Sequence, residues 1–144
     1  MNLVNVTTDT ATICIFDPVA MRHRKDDIGD WWSLPHNELE EVRLRNAIFL
    51  NVGNDGTYAV AIGAGSNEDG LELSLKVPSG NLFVGAGEEM TGGGFEPTGE
   101  WGGEFIALEP GDYRVSIARN EDALDIRLKP HEPFENKISE LVRI

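Results

Sequence analysis

The chain has 144 residues, one domain's worth, with 40% hydrophobic and 26% charged residues, the balance of an ordinary soluble globular protein. Twelve Lys and Arg stand against 25 Asp and Glu, a net charge of −13. That excess argues against a nucleic-acid surface and against an anionic membrane surface, since both need clustered cations.

The single Cys excludes an internal disulfide and a Cys-based zinc cage. No apolar run approaches the ~20 residues of a membrane span. The start, MNLVNVTTDTATI, lacks the basic start and apolar core of a signal peptide, so the cytoplasm is the expected location.

In chain order, Ala11 to Phe16 is a compact apolar run that stops at Asp17-Pro18, as a buried central strand would. Residues 18–45 are mostly charged and carry a Trp pair. Within them Asn37 is placed to cap a short helix over Glu38 to Leu44, although Val42 and Leu44 equally suit the start of a strand. Asn46 to Val52 puts Ile48, Leu50 and Val52 on one face. Asn54-Asp55-Gly56 follows as a hairpin signal, and Thr57 to Ile62 returns with Tyr58, Val60 and Ile62 alternating. Leu71, Leu73, Leu75 and Val77 alternate with Glu72, Ser74 and Lys76, the pattern of a half-exposed strand. Pro78-Ser79-Gly80 turns that strand into Asn81 to Val84.

Residues 85–103 hold eight of the 16 Gly and read as a long loop. Beyond them lie Glu104 to Leu108, a Glu109-Pro110-Gly111-Asp112 turn, Tyr113 to Arg119, a polar loop 120–123 and Leu124 to Lys129. Tyr113, Val115 and Ile117 are matched to pair with Leu124, Ile126 and Leu128. Residues 132–143 suit a short terminal helix with Ile138, Leu141 and Val142 on one side. The whole chain, 1–144, therefore reads as one mainly β domain. The expected architecture is an antiparallel β-sandwich, or alternatively an open β-barrel, with one or two short helices.

Charge is uneven along the chain. Residues 46–113 hold one cation, Lys76, and 11 acids. The densest polar cluster is RHRKDDIGDWW, residues 22–32, where Asp26, Asp27 and Asp30 lie beside His23, Trp31 and Trp32. Its spacing departs from an EF-hand, and a solvated loop with internally paired charges is the plainer reading. On a strand, Trp31 and Trp32 would point to opposite faces, leaving one free to anchor a partner or to seal the end of the sandwich.

His23, His36 and His131 have no metal-ligand spacing, and Cys14 between Ile13 and Ile15 reads as a buried small apolar group. The glycines of 85–103 lack the following helix and the Lys of a phosphate loop. Phe95 and Trp101 among Glu88, Glu89, Glu96 and Glu100 suit an acidic, aromatic loop that grips a basic protein. A plain connection across the end of the sandwich serves as well for any one of them. No catalytic set, cofactor or metal is expected from these spacings.

The order IFDP (Ile15–Pro18), the charged stretch ending in DWW (Asp30–Trp32), NDGTYAV (Asn54–Val60) and LEPGDYRV (Leu108–Val115) resembles a family of small acidic bacterial proteins of unknown function. More remotely it is similar to the competence-nuclease inhibitor family. The resemblance implies a small β-rich fold and a protein that neutralises a DNA-degrading partner; it carries over no catalytic residue.

Three functions are open on this reading. The first is an immunity protein or antitoxin that masks a basic toxin or nuclease, steered by Asp26, Asp27, Asp30, Glu88, Glu89 and Glu96 and anchored by Trp31, Trp32, Phe95 or Trp101. The second is a small-ligand-binding or metal-dependent enzyme domain built on His23 with Asp26 or Asp27. The third is a structural or oligomeric module of a phage or secretion system, which exposed sheet edges would favour.

Overall fold

The computed structural model describes residues 2–24, 31–90 and 97–144. Two sheets face each other. The first runs β1 (Asn2–Thr8), β4 (Gly56–Ala64), β9 (Ala123–Pro130), β8 (Gly111–Asn120), β5 (Leu71–Val77). The second runs β3 (Ala47–Asn51), β2 (Thr12–Phe16), β6 (Asn81–Ala86), β7 (Glu104–Ala107). The protein is mainly β and two-sheeted, with no closed barrel. Neighbours pair antiparallel except β4 and β9, which run parallel.

The first sheet turns one face to the core. Tyr58, Val60, Ile62, Val115, Ile117, Leu124, Ile126 and Leu128 point inward and are buried, while Asp125 and Arg127 alternate outward. In the second sheet β3, β2 and β6 are buried on both faces, whereas the edge strand β7 is largely exposed. All of β2 is buried, and Cys14, Phe49 and Gly85 share one face by register. That face is covered by a helical layer: 3-10 turns at Pro18–Arg24, Trp31–Ser33 and Gly87–Met90, and the helix α1 (Pro35–Arg43). Trp32 stacks on Phe49 at 6.4 Å and Trp31 meets the same ring edge-on at 6.2 Å.

Two expected reversals lead elsewhere. Asn54-Asp55-Gly56 does reverse the chain, but β3 and β4 belong to different sheets, so the turn is a crossover and not a hairpin. Pro78–Gly80 likewise carries the chain from β5 across to β6. Turn chemistry sets the local reversal; which strand is paired depends on which faces must be buried.

The helix begins earlier than expected, with Pro35 at its first turn. Its cap position, Leu34, makes no side-chain cap bond, and Asn37 instead donates to the Trp31 carbonyl at 3.0 Å. Residues 132–143 form no helix. The segment runs along the open side of the sandwich and satisfies its backbone on the edge of β3: Asn51 N–H to Val142 O at 2.9 Å and Ile144 N–H to Asn51 O at 3.1 Å. A short isolated helix with three apolar contacts is marginal, so the strand edge outcompetes it.

On the opposite side, Thr7 N–H donates to Trp101 O at 2.8 Å and ties β1 to the segment that enters β7. Gly102 permits this approach, since at φ 83° a Cβ there would lie 2.0 Å from the Asn5 carbonyl oxygen.

Candidate functional site: an acidic end

The strand registers bring four connections to one end of the sandwich. Thr8 pairs with Gly56, Thr12 with Asn51, Ala59 with Ala123, and Ile13 with Ala86. The β1–β2 turn, the β3–β4 loop, the β8–β9 turn and the Gly87–Met90 turn therefore lie together. They carry Asp9, Asp55, Glu88, Glu89, Glu121 and Asp122, with Glu100 close by.

Two of these carboxylates build the end itself. Glu88 accepts from Asp9 N–H at 2.6 Å, Thr8 Oγ1 at 2.9 Å and Thr10 Oγ1 at 2.6 Å, which clamps the β1–β2 turn. Glu89 accepts from Gly99 N–H at 2.8 Å and Thr98 N–H at 3.2 Å, which pins residues 98–99. Arg119 spends its guanidinium on carbonyls, donating to Val52 O at 2.6 Å, Ile144 O at 2.7 Å and Glu121 O at 2.7 Å, and lies over the Tyr58 ring. Asp55, Glu121 and Asp122 stay exposed.

The structure brings the two candidate segments together. The Trp31 indole N–H donates to Met90 O at 3.1 Å, and a Cβ on Gly87 would sit 3.2 Å from the Trp32 ring. Neither Trp is free to anchor a partner, however: Trp31 is 6% and Trp32 2% exposed. The expectation of opposite faces assumed a strand, whereas both lie on a 3-10 turn and both reach Phe49. Trp101 is half-buried against the core. Asp26, Asp27, Asp30, Phe95 and Glu96 lie outside the described residues.

His23 is half-exposed and turned onto Glu41, with Nε2 2.9 Å from both carboxylate oxygens. Arg24 Nε donates to Glu41 Oε2 at 2.8 Å and Asn46 Nδ2 to Oε1 at 2.9 Å. Burial pushes the Glu41 carboxyl up, but the bonds from Asn46, His23 and Arg24 outweigh it and hold it below the ordinary value. One turn away, Glu38 is 3% exposed, and burial raises its carboxyl to about 7 against the Asn51 hydrogen bond and the charge of Arg143.

Sequence reasoning missed both buried acids, because acids on a polar helix normally face water. Cys14 is buried, and burial, then the charges of Glu89 and Glu88, push its thiol up. Among the described residues no three His, Cys, Asp or Glu converge as a metal requires, and no helix is long and apolar enough to cross a membrane.

Residues 1–144 match the model of a family of unknown function, DUF6386, and the chain belongs to that family. No curated protein sequence matches it. Two solved structures share the fold. "Crocagin biosynthetic gene J" is 15% identical with a TM-score of 0.57, over 91% of this chain and 98% of that one. ComJ from Bacillus subtilis, described as the inhibitor of the DNA-degrading activity of NucA, is 10% identical with a TM-score of 0.56, over 91% of this chain and 96% of that one.

Proposed function

We propose that this DUF6386 protein is an inhibitor of the immunity-protein or antitoxin kind, which masks a basic nuclease or toxin by presenting its acidic end. The observation that carries the reading is the convergence of exposed Asp55 from the β3–β4 loop and Glu121 and Asp122 from the β8–β9 turn onto one end. That end is held in shape by Glu88 and Glu89. A nuclease presents a cationic groove to its substrate, and a preformed carboxylate surface matches such a groove in charge. The fold shared with ComJ, an inhibitor of a DNA-degrading activity, supports the reading. Asp26, Asp27, Asp30, Phe95 and Glu96 lie outside the described residues and enter the proposed contact surface on their charge and ring chemistry alone. The expected site of action is the cytoplasm.

The test begins with a low-salt pull-down from the native host, with mass spectrometry of what is retained. A basic partner with nuclease activity, inhibited stoichiometrically, is the expected result. Replacing Asp55, Glu121 and Asp122 together with Asn, Gln and Asn is expected to slow association with that partner by about tenfold or more and leave the melting temperature unchanged. Association indifferent to both the triple variant and salt sinks the assignment of the acidic end.

A second reading rests on His23, whose half-exposed ring is oriented by a buried carboxylate in the manner of a proton-transfer group. A ligand that raises the melting temperature of the wild type and not of His23→Ala would favour it.

A further inference from the structure

The opposite end of the sandwich carries a cleft of about 330 Å³ between the end of α1, the end of β5 and the C-terminal segment, lined by Arg45, Lys76, Val77, Pro78, Asp112 and Pro133. Arg45 is there at a backbone cost. The last turn of α1 closes with Arg45 N–H on Val42 O at 3.1 Å and Asn46 N–H on Glu41 O at 3.0 Å, with Arg45 left-handed at φ 63°. This is the helix-ending geometry in which Gly is the usual residue. Nothing in the backbone role needs a side chain, since the carbonyl of Arg45 simply accepts from Lys76 N–H at 2.8 Å.

The side chain gains little from the protein. Among the described residues its guanidinium makes one hydrogen bond, 3.4 Å to Asp112 Oδ1, in a partly exposed pair of the kind that contributes little to stability. Among those residues most of its five N–H donors have no protein acceptor. Lys76, the one cation of residues 46–113, reaches the same cleft, where its ammonium donates to Asn46 Oδ1 at 3.4 Å. The adjoining outer face of the first sheet adds Arg114 opposite Lys129; Arg114 stands 3.7 Å from its nearest carboxylate, Glu72, and its Nε–H is buried without a partner. On a chain of net charge −13, the cleft brings two weakly held cations, Arg45 and Lys76, beside a single lining carboxylate, Asp112, over an apolar floor.

We propose that this cleft binds an oxyanion carried on a small apolar body, a carboxylate or phosphate held by Arg45 and Lys76 while the body lies on Val77, Pro78 and Pro133. Asp112 orients the guanidinium fork and disfavours a second negative charge on the ligand. The site lies at the far end from the acidic loops, so it stands or falls independently of the nuclease reading.

Benzoate and inorganic phosphate serve as probes, each titrated at an ionic strength matched with sodium chloride, while the amide resonances of Lys76, Gly111 and Asp112 are followed. Saturable shifts with a Kd of about millimolar are expected for benzoate, with weaker binding of phosphate, whose second charge Asp112 opposes. Arg45→Gly should keep or raise the melting temperature, because Gly relieves the left-handed backbone, and should weaken binding about tenfold. Lys76→Met should weaken it about threefold or more. Three outcomes overturn the proposal: shifts no larger than those of the chloride control, an Arg45→Gly variant that binds benzoate as tightly as the wild type, or one whose melting temperature falls.

Discussion

Glu38 and Glu41 lie one turn apart on the buried side of α1, and their carboxyls are shifted in opposite directions. Glu41 is charged because Asn46, His23 and Arg24 replace its water, whereas Glu38 has Asn51 and the more distant Arg143. The pH consequence for Glu38 follows from its carboxyl rising from 4.5 to about 7 on folding. The folded state then binds the proton more tightly than the unfolded chain, so this contribution is fully present below about pH 4.5. It is lost as pH climbs to about 7 and is flat above. The shift corresponds to a loss on the order of 2–3 kcal/mol. Glu38→Gln keeps an acceptor for Asn51 and removes the titration. Urea melts at pH 5, 6, 7 and 8 should show the variant more stable than wild type at pH 8 by about 1–2 kcal/mol, with the gap closing at pH 5. A gap independent of pH would show that Glu38 does not titrate in this range.

Elements succeed here where each backbone edge finds a partner. The edge of β3 is covered by the C-terminal segment through Asn51, and the edge of β5 by the Arg45 carbonyl and the Asn136 side chain. Asn136 accepts from Ser74 N–H at 2.7 Å and donates to Ser74 O at 2.9 Å and Val42 O at 2.8 Å, standing in for the next strand. Its amide is buried, so Asn136→Ala leaves backbone groups of β5 and α1 unsatisfied. A loss of about 2–3 kcal/mol is expected, with the Ser74 amide exchanging faster in deuterated water than its β8-paired neighbours. An unchanged midpoint of denaturation would show that water replaces the amide at no cost. β2 and β3 need no such device on their faces, since the sheet opposite covers one and the helical layer the other.

Across the whole molecule, exposed carboxylates gather on the turns beside Glu88, while Arg45 and Lys76 share the opposite end with Asp112. A net charge of −13 on a chain of 144 residues repels itself, and salt screens that repulsion. Raising sodium chloride from about 10 to about 200 mM should therefore raise the melting temperature, while slowing any association driven by the acidic end. A melting temperature that falls with salt would show that the ion pairs, such as Arg127 with Asp125, outweigh the repulsion.

Much of the strand framework was legible at this scale. Leu73, Leu75 and Val77 face the core and Val115 pairs with Leu128 as the period-two pattern indicates, whereas Leu71 is exposed and Ser74 is buried under Asn136, a distant residue that the pattern does not contain. The strand Asn2–Thr8 went unread, although Val4 and Val6 alternate in it, since polar residues and an exposed Leu3 dilute the pattern. Glu88 and Glu89 were legible as an acidic pair, but not as the clamps of two turns, because their partners lie far along the chain.

By itself the sequence determined the class of this protein: a single acidic chain, mainly β, in which Gly and Pro mark the reversals. Those features are local, set by periodicity and by which backbone angles each residue tolerates. Only the tertiary structure decided the partners. It separated β3 from β4, seated both Trp rings on Phe49, drew the tail out as an edge cover, and gathered the acidic turns at one end. Each of those outcomes depends on burying a face or satisfying a backbone group against residues distant in the chain, and short-range patterns do not specify which distant surface wins.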